Sequence, residues 1–247
     1  MNNHSIRVSC AGWSLSREHA ERFAADGTHL QRYASKLSCV EINSSFYRPH
    51  RPQTYARWAA SVPDDFSFSV KVPKQITHVQ RLEECAVALD EFLAQCGQLG
   101  DKLGCLLVQL PPSLVFDAQV AEDFFSCLRE RFVGPVVVEP RHLSWVEAEP
   151  LLQAQRIAQA AVDPSRIATD PTPGGWRGFR YWRLHGSPRI YHDAYDAEYL
   201  SRLRVILAEA AADAEVWCVF DNTASGAALA NALDIRYPPR RCCGVPG

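Results

Sequence analysis

Short runs rich in valine, isoleucine and aromatic residues alternate along the chain with longer stretches whose apolar residues recur at helical spacing. The β-rich runs are IRVSC (6–10), SCVEIN (38–43), FSFSVK (66–71), GCLLVQL (104–110), VVVE (136–139), QAAVD (159–163), RYWRLHG (180–186) and VWCVFDN (216–222). QAAVD is short and alanine-rich and carries the weakest strand signal. Between these runs, residues 82–99, 118–132, 197–213 and 225–233 read as amphipathic helices. Ser144-Trp145-Val146-Glu147 has the spacing of a capping box and predicts a helix start just past VVVE.

Strands alternating with helices imply parallel pairing through right-handed crossovers. A doubly wound open sheet and a (β/α)8 barrel both satisfy that pattern. No G-x-G-x-x-G follows the first strand, which weakens the dinucleotide-binding form of the open sheet. Eight units in 247 residues is the size of the barrel. The expected fold is a single-domain TIM-type (β/α)8-like barrel over residues 1–237, with an irregular tail over 238–247.

Nearly every β-rich run ends in a polar side chain, and barrel active sites lie at the C-terminal strand ends. Strand residues two apart share a face. Cys39, Glu41 and Asn43 therefore point one way, as do Ser69 with Lys71, Leu107 with Gln109, and Val137 with Glu139. Tyr181, Arg183 and His185 form another stripe, and Val219 pairs with Asp221. If these faces point inward, the polar groups converge on one mouth. Glu41, Glu139, His185 and Asp221 are the candidate catalytic residues. Trp13, Asn43, Lys71, Gln109, Arg141, His142, Trp145, Arg183, Tyr191 and Asn222 are the candidate substrate-binding residues. The competing structural reading is mutual neutralisation of Glu41, Glu139, Lys71 and Arg183 as buried pairs. Buried charge is costly, however, and stability alone would not repeat it at one end of most strands.

A hydrophobic content of 47% is ample for a core, and a formal charge of -2 gives no basic excess for a nucleic-acid surface. No run of apolar residues is long enough for a transmembrane helix, and the N-terminus lacks signal-peptide features. The nine cysteines are scattered and form no C-x-x-C, as reduced thiols would be. A cytoplasmic protein is expected. No role is assigned to the adjacent Cys242 and Cys243.

Seven motifs, in order and spanning most of the chain, resemble the YecE-like family, domain of unknown function 72. They are AGW (11–13), VEINSSFYR (40–48), FSVKVPKQITH (68–78), KLGCLLVQLPPS (102–113), VEPRHLSW (138–145), RLHG (183–186) and FDNTASGAALANA (220–232). The resemblance implies a TIM-type barrel and favours Glu139, Arg141, His142, Arg183 and His185 as site positions. It supplies no reaction. Pro140 stands where the family usually has an aromatic residue, and Ser9-Cys10-Ala11 replaces its usual hydroxyl or glycine run.

Three functions fit these residues. The first is an enzyme without a cofactor, acting on a small anionic or phosphorylated molecule. Lys71, Arg141 and Arg183 would grip the anion, Glu139 or Glu41 would serve as base, and His185 as acid. Isomerisation, proton abstraction and hydrolysis all suit that set. The second is metal-assisted phosphodiester hydrolysis, with Glu41, Glu139, Asp163, His185 and Asp221 as ligands to a divalent ion and nucleic acid as substrate. Lys71 and Arg183 would repel such a cation. The third is a non-catalytic module binding a ligand or partner. On the first reading, Glu139→Gln and Arg183→Met remove function and leave the fold intact. No P-loop, G-x-S-x-G or H-E-x-x-H occurs.

Overall fold

The computed structural model describes residues 5–167 and 172–238, so most of the tail, including Cys242 and Cys243, lies outside the described residues. In chain order the strands are β1 (Ile6–Cys10), β2 (Cys39–Ile42), β3 (Ser67–Lys71), β4 (Leu103–Gln109), β5 (Val136–Glu139), β6 (Ile157–Gln159), β7 (Ala161–Asp163), β8 (Gly174–Gly175), β9 (Phe179–Leu184) and β10 (Glu215–Phe220). The α-helices are α1 (His29–Ala34), α2 (Pro52–Ala60), α3 (Ala86–Cys96), α4 (Ala118–Arg131), α5 (Glu149–Ala154), α6 (Ala197–Ala210) and α7 (Ala227–Arg236). Every β-rich run forms strand. QAAVD falls within 157–163, where β6 and β7 are separated by Ala160.

The strands form two sheets, ordered β1-β10-β9-β7 and β2-β3-β4-β5-β6-β8. All pairings are parallel except that of β8, a short strand the hydrophobic pattern did not predict, which runs antiparallel to β6. The single eight-stranded ladder expected from the alternation is thus divided. At one seam an isolated bridge joins Ala11 to Glu41, and the Gly12 amide donates to the Glu41 carbonyl at 2.8 Å. At the other, the Ala160 amide still donates to Val138 on β5 at 2.9 Å, while β7 beyond it pairs with β9.

Apolar residues form two clusters. The larger packs the outer strand faces against the helices. The smaller draws Cys39, Leu107, Val137, Ala160, Tyr181, Trp217 and Val219 from both sheets, so the two sheets share one interior. Burial on both faces explains why β5 reads as an unbroken valine run. Trp217 and Tyr181 stack with centroids 6.3 Å apart toward the N-terminal strand ends. Trp217 lies so close to Gly104 that a Cβ there would sit 2.6 Å from the indole. With that end filled by aromatic rings, the inward-facing polar residues gather at the other.

Local chemistry sets the helix starts. Asp117 caps α4 by accepting from the Gln119 and Val120 amides, and Asp196 caps α6 by accepting from Tyr199. The capping box expected at Ser144 does not form. Its hydroxyl accepts from the Phe116 amide at 2.7 Å, and the Ser144 amide donates to His142 Nδ1 at 3.2 Å. Leu143–Ala148 is a 3-10 helix in consequence, and α5 begins only at Glu149. Among the described residues no helix is long and apolar enough to cross a membrane.

Candidate functional site

Arg183 is the hub of the C-terminal strand ends. The β10–β9 register sets it beside Val219, and Tyr181 and His185 follow on the same face. Its guanidinium is wholly buried and touches three carboxylates, Glu41 on β2, Glu139 at the end of β5 and Asp221 just past β10. It holds Glu41 by two points, Nη2 to Oε1 at 2.8 Å and Nε to Oε2 at 3.0 Å. Nη1 reaches Glu139 Oε2 at 3.2 Å and Nη2 reaches Asp221 Oδ2 at 2.9 Å. Burial acts to lower the Arg183 pKa, but Asp221, Glu41 and Glu139 hold it well above its ordinary value. The second Glu41 oxygen also accepts from the Tyr181 hydroxyl at 2.9 Å, which in turn meets Ser69 at 3.0 Å. Glu41 is therefore fully occupied beneath the mouth.

Glu139 forms the next layer outward. Its Oε1 accepts from Gln109 Nε2 at 2.8 Å and from Arg141 at 2.9 Å. Burial alone would raise its pKa, but Arg183, His185 and Arg141 bring it well below the usual carboxylate range. Asp221 is lowered in the same way, with Arg183 and His185 outweighing its burial. His185 lies between them, Nδ1 3.0 Å from Asp221 and Nε2 3.5 Å from Glu139. Its burial lowers the imidazole pKa, while hydrogen bonds to Asp221 and Glu139 outweigh that and raise it. The two carboxylates thus favour the imidazolium over the neutral ring. When His185 is protonated, four cationic groups (Lys71, Arg141, Arg183 and His185) face three carboxylates.

A cleft of about 180 Å3 opens on this layer, lined by Glu139, Pro140, Arg141, Val162, Pro164, Arg166, His185, Ile190 and Tyr191. A larger cleft of about 370 Å3 lies between the 82–86 segment and α4, away from these ionisable groups. The smaller one is the cleft onto which Glu139, Arg141 and His185 open. The loop after His185 forms its wall. Gly186 turns the chain at a φ of 93°, where a Cβ would meet the Asp193 carbonyl at 2.7 Å. Tyr191 also adopts a left-handed φ of 70° and sets its ring edge-on to His185, 5.5 Å between centroids.

The remaining predicted residues divide. Gln109 and Arg141 join the site. Lys71 ends β3 nearby, its Nζ 4.2 Å from the Phe46 ring centre. Asn43 follows β2 with a buried Oδ1 that has no hydrogen-bond partner among the described residues. Asn222 braces rather than lines the cleft, donating to the Asp193 carbonyl and to Asn231 Oδ1, each at 3.0 Å. Trp145 is buried in the outer core with its indole donating to Leu114 at 3.0 Å, which leaves no polar edge for a ligand. Trp13 packs edge-on against Trp58. His142 caps the 3-10 turn. Asp163 has the outward parity of its strand and interacts with Tyr195 and Tyr199. Among the described residues no group of three or more His, Cys, Asp and Glu could hold a metal ion, and Arg183 stands between the three carboxylates.

Residue pattern did not single out Arg166 as part of the cleft or Asn231 as a brace. Asn231 exchanges hydrogen bonds with the Tyr195 backbone at 3.1 and 3.0 Å. Nothing in the local sequence signals Arg166, which follows a weak strand. Asn231 is a buried amide within an alanine- and leucine-rich helix, a signal that an interior polar contact would be needed.

A family model described as "Protein of unknown function DUF72" matches residues 7–237. The chain belongs to the DUF72 family. It is 36% identical to the UPF0759 protein YecE of Escherichia coli K12 over 84 residues, covering 34% of the chain and 31% of YecE. It is 24% identical to the UPF0759 protein YunF of Bacillus subtilis 168 over 151 residues, covering 57% of the chain and 52% of YunF. The matched stretches thus span about a third to a half of these relatives. Among solved structures, a DUF72 family protein from Thermotoga maritima aligns with a TM-score of 0.80 at 24% identity, over 94% of this chain and 98% of that one. Another from Enterococcus faecalis aligns at 0.78 and 23%, over 94% of both chains. At these identities the likeness carries the fold.

Proposed function

We propose that this DUF72 protein is an enzyme, a hydrolase or isomerase, acting on a small anionic molecule by acid–base chemistry at the C-terminal strand ends. On this reading the two sheets act as one TIM-type (β/α)8-like barrel. The Ala11–Glu41 bridge and the Ala160 hand-over between β5 and β9 support that closure. Free thiols at all seven described cysteines support a reducing, cytoplasmic setting.

The observation that carries the proposal is His185, clamped by two carboxylates yet lining the cleft beside Arg141. An imidazolium so held is a general acid aimed at whatever Arg141 grips. Arg141 and Arg166 supply anion contacts, and Arg141 is the more rigid because Glu139 fixes it. Glu139 and Asp221 are too weakly basic for proton abstraction and instead keep His185 charged and oriented. The base is His185 itself once its proton has been given. The cleft falls below the roughly 300–1,000 Å3 of a drug-sized pocket, so the ligand is a small molecule.

The test is ligand-induced thermal stabilisation with a panel of small phosphate monoesters, carboxylates and neutral sugars. Anions should stabilise the wild type, and Arg141→Ala should abolish the effect. Equal stabilisation by neutral compounds, or none by any anion, would refute the proposal.

A further inference from the structure

Lys71 is 4% exposed, and its Nζ makes no ion pair or hydrogen bond within the described residues. This is unusual beside three carboxylates, since a buried ammonium normally takes one as partner. Here the candidates are already engaged. Glu41 and Asp221 are held by Arg183, and Glu139 by Arg183, Gln109, Arg141 and His185. What faces Lys71 is the Phe46 ring, placed by the turn after β2. That turn is tied to β3 by the Ser45 hydroxyl, which donates to the Lys71 carbonyl at 2.6 Å. Burial and the Arg183 charge lower the Lys71 pKa to about 8 against the pull of the carboxylates, so free amine is present near neutral pH.

An unpaired amine against an aromatic face, at a strand end of an anion-binding mouth, is placed as a nucleophile rather than as a counter-ion. We propose that Lys71 forms an imine with a small aldehyde or ketone carrying an acidic group, that group being held by Arg141. This rests on the anion-binding reading above and specifies its substrate class. The amine lone pair forms the C–N bond while the carbonyl π pair moves to oxygen. One nitrogen proton passes to that oxygen, giving a carbinolamine. A proton from solvent then lets the hydroxyl leave as water, and the nitrogen lone pair closes the protonated imine. One water is released and nothing is oxidised or reduced.

The test traps the imine. Wild-type protein is incubated with glyoxylate and cyanoborohydride, and carboxymethyl-lysine is located by peptide mass spectrometry. Lys36, Lys74 and Lys102 complete the lysine complement and serve as internal controls. Lys71 should be modified roughly tenfold or more faster than the exposed Lys74, as expected for an amine with a lowered pKa. Modification of Lys74 at an equal or greater rate, or no modification of Lys71, would overturn the proposal. Neutral glycolaldehyde should modify Lys71 more slowly than glyoxylate, and Arg141→Ala should remove that preference. If anions stabilise the protein through Arg141 but Lys71 is not trapped, the imine fails and the parent reading stands. If Lys71 is trapped with no preference for the charged aldehyde, the anionic substrate class fails.

Discussion

Arg183 and Glu41 form a two-point pair wholly shut away from solvent, Nη2 to Oε1 at 2.8 Å and Nε to Oε2 at 3.0 Å. The same guanidinium neutralises Glu139 and Asp221. Removing it leaves three buried carboxylates without their main partner. Breaking one buried pair costs about 3–5 kcal/mol. Arg183→Met should therefore unfold the protein at neutral pH, in contrast to the fold-neutral outcome expected from sequence. Glu139→Gln should be milder, because Gln109 and Arg141 can reorient toward an amide. Urea denaturation of the two variants decides the point, and a wild-type midpoint for Arg183→Met would refute it.

The His185 pKa is raised on folding, so its proton stabilises the native state. That contribution is complete below the unfolded value of 6.5 and fades as pH rises through the folded one. Titration followed by the imidazole NMR resonances should place His185 above 6.5, and Asp221→Asn should bring it down. A His185 resonance that titrates below 6.5 in the wild type would contradict this.

Glu139 and Asp221 behave in the opposite sense. Their folded pKa values are depressed, so their stabilisation is present above the ordinary carboxylate range and is lost as pH falls through the lower folded values. Acid unfolding should thus begin below about pH 4, and Asp221→Asn should flatten it. Circular dichroism across an acid titration measures this directly.

Lys71 is a cost to the native state wherever the unfolded chain is protonated and the folded one resists it. The folded pKa lies near 8 against the 10.5 of a free lysine, so stability should climb as pH rises between these values. Lys71→Met removes the cost and should raise stability at pH 6 by about 3 kcal/mol, while giving little at pH 11. Equal effects at both pH values would exclude a buried charge as the cause.

The Tyr195 hydroxyl accepts from the Gly186 amide at 2.9 Å and donates to the Asp163 carbonyl at 3.0 Å, tying the cleft loop to β7. Tyr195→Phe strands a buried N–H and should cost about 1–3 kcal/mol. Hydrogen exchange at Gly186 should accelerate far more than exchange in β10. Unchanged protection at Gly186 would show that the loop is held by other contacts.

The strands other than β8, their parallel sense and the inward faces of Glu41, Lys71, Glu139, Arg183 and Asp221 were legible in the sequence. Each follows from a local rule: β-rich runs form strands, alternation with helices makes them parallel, and residues two apart share a face. Those rules say which groups meet and are silent on how they pair. Only tertiary structure decided that one guanidinium engages three carboxylates and that His185 is clamped while Lys71 has no hydrogen-bond or ion-pair partner among the described residues. It also turned Trp145 into the core and divided the ladder into two sheets. Pairing depends on ångström distances between residues up to 142 positions apart, and no period along the chain encodes them.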